Sequence, residues 1–188
     1  MSLNVDLFSS IWVCFEKRGM KTYLASELFE LRVSGNFPLD CEFIAKEPIP
    51  QDLESSGVYM MFYKQELVFV GLSDRELAMS RFEKQLSTIT LRGARVSFKN
   101  GELDPKSISP IFQNIFDVVI KQKRRDFETS TKRIEYAAKN WIHFSKLDDN
   151  ELSHFVFVWF PKSMIKGKTL VQFRNDLRTA LKPLCNGR

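Results

Sequence analysis

The stretch GVYMMFYKQELVFVG, from Gly57 to Gly71, is the part of the sequence on which the expected fold depends. Its two apolar runs are separated by Lys64-Gln65-Glu66, and each run carries a glycine at its outer edge with an aromatic residue nearby. Runs rich in β-branched and aromatic residues on both sides of a polar turn are typical of a β-hairpin. We therefore predict two antiparallel strands whose glycine-containing ends lie side by side.

Three patterns after the hairpin predict the remaining framework. Ser73 and Glu76 form a capping box, which predicts a helix that starts directly after the second strand. Ser153–Phe160 (SHFVFVWF) predicts a strand ended by Pro161, and Thr169–Leu181 predicts the closing helix. A small antiparallel sheet, made of the hairpin and the later strand and flanked by helices, belongs to the α+β class.

The length of 188 residues fits a single domain. We expect an N-terminal helical extension over residues 1–56 and a core over residues 57–186. The core is expected to contain a helical insert at about residues 87–150.

Periodicity predicts four helices outside the core elements: Asn4–Arg18, Lys21–Arg32, Ser109–Gln122 and Arg125–Trp141. CEFIAKE, which begins at Cys41, predicts a short edge strand.

Composition excludes several classes of protein. No apolar run approaches the ~18 residues of a membrane helix, and no secretory signal is visible, so we expect a cytoplasmic protein. The cysteines Cys14, Cys41 and Cys185 are far apart and predict free thiols rather than a zinc site. The chain contains no GxxxxGK[ST], GxGxxG or GxSxG motif. The net charge of +5 is compatible with a polyanionic partner.

The two ends of the predicted core resemble one family. Gly57-Val58-Tyr59, then Phe69-Val70-Gly71, then a helix with an arginine, resembles the GIY-YIG nuclease domain. The approach PIPQDLESSGVYMMFY is similar to the restriction-enzyme branch of that superfamily. LRTALKPLCN, with Pro183 and Asn186, resembles the family's closing helix and its Pro-x-x-Asn terminus.

The resemblance implies roles for individual residues. Tyr59 would accept or relay a proton from the attacking water, and Arg81 would stabilise charge on the phosphate. A glutamate of the last helix would hold one divalent metal ion, Mg²⁺ or Mn²⁺. Phe69 occupies the second tyrosine's position and has no hydroxyl, so it can pack but cannot exchange a proton.

Hairpin geometry limits this comparison. With an unbroken two-residue turn, Phe69 would lie opposite Met60, and its ring would be on the other face of the sheet from Tyr59. A three-residue loop or a bulge would place Phe69 opposite Met61, on the face of Tyr59. The family-like arrangement requires one of these two features.

Two positions depart from the family. The arginine position falls on Met79; Arg81 lies two residues later, about 200° further round a helix, and therefore needs a longer preceding loop. Arg75 is a further candidate for binding phosphate. The glutamate position falls on Arg174, which cannot ligate a metal, so we predict no metal site of the usual kind.

Neighbouring carboxylates offer weak replacements for the lost glutamate. Asp176 should point away from Arg174, because two residues along a helix turn the side chain by about 200°. Glu151 or a carboxylate from the insert stays open as a substitute. His143 and His154 are interpreted as structural histidines of the core or of a strand edge.

Three functions stay open at this point. The favoured one is a catalytically degenerate relative that binds nucleic acid, most simply DNA, with Tyr59 and Arg174 sharing one positively charged hollow and Arg174 contacting a phosphate. The alternatives are an active metal-dependent DNA endonuclease with a modified site and a protein-interaction module. Contacts to the nucleic-acid backbone are expected from Lys121, Lys123, Arg124, Arg125, Lys132 and Arg133.

Overall fold

The structure, a computed structural model, describes residues 20–33, 41–74, 77–90, 97–99, 102–104, 132–133, 136–137, 139–144 and 147–186. Their strands are β1 (Lys21–Leu24), β2 (Phe29–Val33), β3 (Cys41–Ala45), β4 (Gly57–Tyr63), β5 (Glu66–Ser73), β6 (Ser97–Lys99), β7 (Glu102–Asp104) and β8 (Phe155–Pro161). Their α-helices are α1 (Ala25–Leu28), α2 (Ala78–Ile89), α3 (Trp141–Phe144), α4 (Asp149–Leu152) and α5 (Leu170–Leu181).

The fold is α+β and is organised around a four-stranded sheet in the order β1-β8-β4-β5. Every neighbouring pair is antiparallel. β4 lies inside the sheet, and all of its residues are buried. β2 pairs with β3, and β6 with β7, in separate two-stranded ribbons. The hairpin and the later strand, both predicted from sequence, are confirmed.

The two faces of β4 pack against different helices because side chains alternate along a strand. Tyr59 and its alternate neighbours share one apolar cluster with α2, in which Phe82 is fully buried. Met60 and its alternate neighbours share a second cluster with α5, through Leu170 and Leu177. Burial on both sides explains why the strand is an unbroken apolar run rather than an alternating one.

The hairpin has a two-residue turn and a bulge. Lys64 and Gln65 have φ angles of 46° and 68°, the left-handed values that a type I′ turn requires at both central positions. The register then shifts between Met61 and Phe62, so that Phe69 lies opposite Met61. The bulge therefore puts Phe69 on the face of Tyr59. It is one of the two features that were expected to produce this arrangement.

Two sequence predictions about helix boundaries were wrong. Lys21–Arg32 is not one helix; β1 pairs with β8, and only a four-residue helix separates it from β2. Pairing with an existing strand outweighed the local periodicity. Ser73 is not a helix cap either, because it ends β5 and is buried, while α2 begins at Ala78 after Leu77.

Other expectations had mixed outcomes. The edge strand at Cys41 is confirmed as β3, and the closing helix begins after a Thr169 side chain that accepts from the Gln172 amide. The insert was expected to be helical, yet its described part includes β6 and β7. The predicted helices Asn4–Arg18 and Ser109–Gln122 lie outside the described residues. None of the described helices has the length and apolar character that crossing a bilayer takes.

The chain after α5 closes the outer edge of β5. The amides of Leu184 and Cys185 donate to the carbonyls of Leu67 and Val68, at 3.1 and 2.8 Å. The Asn186 side chain continues this pairing, since Oδ1 accepts from the Val70 amide at 2.7 Å and Nδ2 donates to the Val70 carbonyl at 3.0 Å. A side-chain amide thus replaces the peptide group of a fifth strand.

Candidate functional site

A cleft of about 340 Å³ opens beside the edge strand β5. We call it the arginine cleft because four of its lining residues are arginines, namely Arg81, Arg133, Arg174 and Arg178. The other lining residues are Tyr59, Phe69, Gln85, Asn186 and residues 70–72. Since α2 and α5 pack on opposite faces of the sheet, their arginines meet around its edge.

Tyr59 is held against the backbone of the neighbouring strand. It lies opposite Gly71, and a Cβ atom added there would be 2.5 Å from the Tyr59 hydroxyl and 2.4 Å from its Cζ. The ring contacts Phe82 edge-on, with centroids 5.0 Å apart. Only glycine at position 71 leaves room for this ring, so Gly71 allows the Tyr59 side chain to lie at the cleft.

Phe69 supports a cation instead of supplying a hydroxyl. Its ring centroid lies 6.1 Å from that of Tyr59, and the Arg133 guanidinium carbon lies 4.5 Å from the Phe69 centroid. This distance is within the range of a cation–π interaction. Burial lowers the pKa of Arg133, and the nearby Tyr59 and Cys185 groups oppose that shift. Arg133 is therefore a partly desolvated cation fixed above an aromatic ring.

Arg174 and Arg178 are four residues apart on α5, on one face of the helix. The Arg174 guanidinium donates to Asn175 Oδ1 from Nε at 3.2 Å and from Nη2 at 2.9 Å. Burial lowers the pKa of Arg174, and the neighbouring charge of Arg178 lowers it further. Within the described residues, no carboxylate forms an ion pair with Arg174. An anion in the cleft would offset both the burial of the Arg174 guanidinium and its repulsion by Arg178.

Arg81 and Gln85 form the corresponding pair on α2, again four residues apart. Arg81 was expected to need a longer connection before this helix, and the helix begins at Ala78 rather than directly after Ser73. Gln85 is only 7% exposed although it lines the cleft. Asn186 is also 7% exposed and lines the cleft while it caps β5, so the closing segment contributes directly to the site.

The residues present do not fit a divalent metal. The described lining of the arginine cleft includes no aspartate, glutamate or histidine. No group of three or more His, Cys, Asp or Glu side chains is close enough to hold a metal within the described part of the chain. A guanidinium at position 174 repels a cation and has no acceptor atom with which to ligate it.

The carboxylates considered as replacements lie elsewhere. Asp176 Oδ2 contacts Lys168 Nζ at 2.5 Å on the exposed side of α5, in agreement with the predicted direction. Glu151 accepts a hydrogen bond from the Tyr63 hydroxyl and pairs with Lys64 at 3.0 Å, at the turn end of the hairpin. Glu151 is therefore excluded as a ligand in the cleft.

The histidines and the basic residues are distributed unevenly. His143 is an exposed residue of α3 and His154 is an exposed residue before β8, so neither is in the core. Arg133 lines the cleft, whereas Lys132 is not among its lining residues. Five predicted contacts lie outside the described residues: Arg75, Lys121, Lys123, Arg124 and Arg125.

Sequence interpretation missed Gln85 and Arg178. Each lies four residues after an arginine that was singled out, and that spacing places two side chains on one helix face. No protein-family model matches this chain, and no solved structure matches it. The cleft is therefore the feature of the described residues that bears most directly on function.

Proposed function

We propose that the protein binds the phosphodiester backbone of a nucleic acid in the arginine cleft and does not cleave it. On this proposal it is a catalytically degenerate relative of GIY-YIG endonucleases. The observation that carries it is the convergence of four arginines and Tyr59 on one cleft whose described lining has no carboxylate.

Guanidinium groups suit this role for a physical reason. Their planar, charged N–H donors match two oxygens of one phosphate, and they stay protonated at any physiological pH. Arg133 and Arg174 are already partly desolvated, so their pairing with an anion requires little further loss of hydration. Arg174 replaces the charge of the family's metal ion but cannot bind and activate a water as a metal ion does.

The proposal is tested by fluorescence anisotropy with a labelled DNA oligonucleotide over a range of salt concentrations. Arg174→Gln should weaken binding about tenfold and reduce the slope of log affinity against log salt by about one. Arg32→Gln is the matched control, because Arg32 is an exposed arginine on the separate β2–β3 ribbon. Equal effects of the two changes, or binding by the natural chain of neither this DNA nor an RNA strand of the same sequence, would overturn the proposal.

An active endonuclease is the second candidate, because the Tyr59 side chain lines the same cleft as Arg81. Plasmid DNA incubated with Mg²⁺ or Mn²⁺ separates the two functions. Binding without nicking supports the degenerate relative. Nicking that disappears in Tyr59→Phe supports the enzyme. If the natural chain neither binds nor nicks DNA, a role in protein interaction becomes the favoured function.

A further inference from the structure

We propose that the arginine cleft prefers ribonucleotides, and that Gln85 is the residue that distinguishes the ribose 2′-hydroxyl from deoxyribose. This inference rests on the proposed function, because it takes the bound anion to be a nucleic-acid phosphate. It goes further by naming the sugar and the side chain that recognises it.

The first observation is an acceptor without a donor. Gln85 Oε1 is buried and has no hydrogen-bond partner among the described residues. A buried polar atom without a partner is unfavourable, and most such atoms in native proteins are paired. Gln85 lines the cleft, and the torsion that orients its amide is soft. A ligand in the cleft can therefore satisfy this oxygen.

The second observation is a donor in the same cleft. Arg133 Nε is likewise buried and has no hydrogen-bond partner within the described part of the chain. The cleft thus presents the unsatisfied Nε donor of Arg133 and the unsatisfied acceptor of a neutral amide, Gln85. A ligand that satisfies both must carry an anionic acceptor and a hydrogen-bond donor that fit together into this one cleft.

A phosphodiester of DNA provides only the first of these groups. Its oxygens accept hydrogen bonds at neutral pH, and the deoxyribose next to it has no donor. In RNA the 2′-hydroxyl is a donor adjacent to the 3′-phosphate, and it is the group by which proteins tell the two polymers apart. Amino groups of the bases are the other donors, but they lie further from the phosphate than the 2′-hydroxyl does.

The test compares single strands of one sequence as RNA, DNA and 2′-O-methyl RNA. The natural chain should bind RNA about tenfold more tightly than DNA, because DNA leaves the Gln85 oxygen unpaired. The 2′-O-methyl strand keeps the sugar of RNA but has no donor, so it should bind as weakly as DNA. Gln85→Met keeps the length of the side chain and removes the acceptor. This variant should bind all three strands with similar affinity.

The outcomes distinguish a failure of the ribose preference from a failure of the proposed phosphate binding. Equal binding of RNA and DNA by the natural chain overturns the ribose preference and leaves phosphate binding standing. A preference that depends on base composition, with oligo-uridine binding weakly and oligo-adenosine tightly, assigns the donor to a base instead. No binding of any strand removes both proposals. Thermal unfolding of Gln85→Met checks that a loss of preference is not a loss of fold.

Discussion

The two ends of strand β4 carry the same residue type in opposite electrostatic settings. Tyr59 and Tyr63 are on one face of the strand, about 13 Å apart at ~3.3 Å per residue. At Tyr63, Glu151 accepts from the hydroxyl and pairs with Lys64, while His143 Nδ1 lies 3.7 Å from the same carboxylate. At Tyr59, the described neighbours are arginines and rings.

The contrast indicates a different role for each tyrosine. At the turn end, cation, carboxylate and phenol satisfy one another, and three aromatic rings surround Tyr63: Tyr136, Phe144 and Phe155. Such a network stabilises the hairpin, and its cation, carboxylate and phenol are satisfied without a bound ligand. Among the described residues, the lining of the arginine cleft contains four arginines and no carboxylate. It is the end that a ligand would complete.

The largest expected effect concerns the fit of Tyr59 in the cleft. Gly71→Ala should lower the free energy of unfolding by about 3 kcal/mol, because the added methyl group overlaps the Tyr59 ring. Gly167→Ala is the control, since no atom lies within 4 Å of its added Cβ and only its φ of 73° makes the change unfavourable, by about 1 kcal/mol. Urea unfolding measures the free energy of unfolding of both variants. Equal losses of stability would mean that the Tyr59 ring moves away from the added methyl group at little cost.

The next effect concerns the turn end. Glu151→Gln should cost about 2 kcal/mol of folding stability, because a partly buried charged network loses its only described anion. Asp176→Asn breaks an exposed ion pair with Lys168 and should cost less than about 0.5 kcal/mol. Nucleic-acid binding should be unchanged in both variants. Weaker binding by Glu151→Gln would show that the two ends are not independent.

The same network predicts a dependence on pH. Burial raises the pKa of Glu151, but hydrogen bonds from Tyr63 and Lys64 and the charges of Lys64 and His143 outweigh it, so the pKa lies below its usual value. The contribution of the Glu151 carboxylate to folding stability is fully present above the pKa that this group has in the unfolded chain. It is lost as the pH falls through the lower pKa of the folded state. Unfolding between pH 5 and about pH 3 should show a steeper loss in the natural chain than in Glu151→Gln. Parallel curves would contradict this assignment.

The smallest effect on stability is expected at the cleft. Arg174→Gln removes a positive charge four residues from Arg178 and should raise the free energy of unfolding by about 0.5 kcal/mol, while binding falls. A gain in stability with a loss of binding is the signature of a residue retained for its ligand. Thermal unfolding at low salt measures the gain. A clear loss of stability would assign Arg174 to the framework instead.

Local sequence predicted the parts of the fold that local interactions determine. The hairpin, β8 and the closing helix each have an uninterrupted pattern and a turn or cap residue, and all three were found. Lys21–Leu24 was misassigned because its conformation depends on β8, more than a hundred residues later in the chain. Ser73 was misassigned because a capping motif does not reveal whether the preceding strand continues.

The site was predictable to the extent that it follows strand and helix periodicity. Tyr59, Arg81 and Arg174 were chosen by position, and the structure brings all three to one cleft. Arg133 was expected only as a contact to a nucleic-acid backbone; no periodicity could show that Phe69 would hold it. Gln85 was missed because it is uncharged: its spacing of four residues from Arg81 could be read from the sequence, but its burial at the cleft could not.

Asn186 has a consequence beyond the cleft. Its amide and the two residues before it occupy the hydrogen-bonding groups of β5 that a foreign strand would otherwise use. Shortening the chain ahead of Pro183 would expose a long apolar strand to its own copies. We expect such a shortened chain to self-associate into oligomers. The segment that helps form the cleft therefore also covers the strand edge through which the protein would otherwise polymerise.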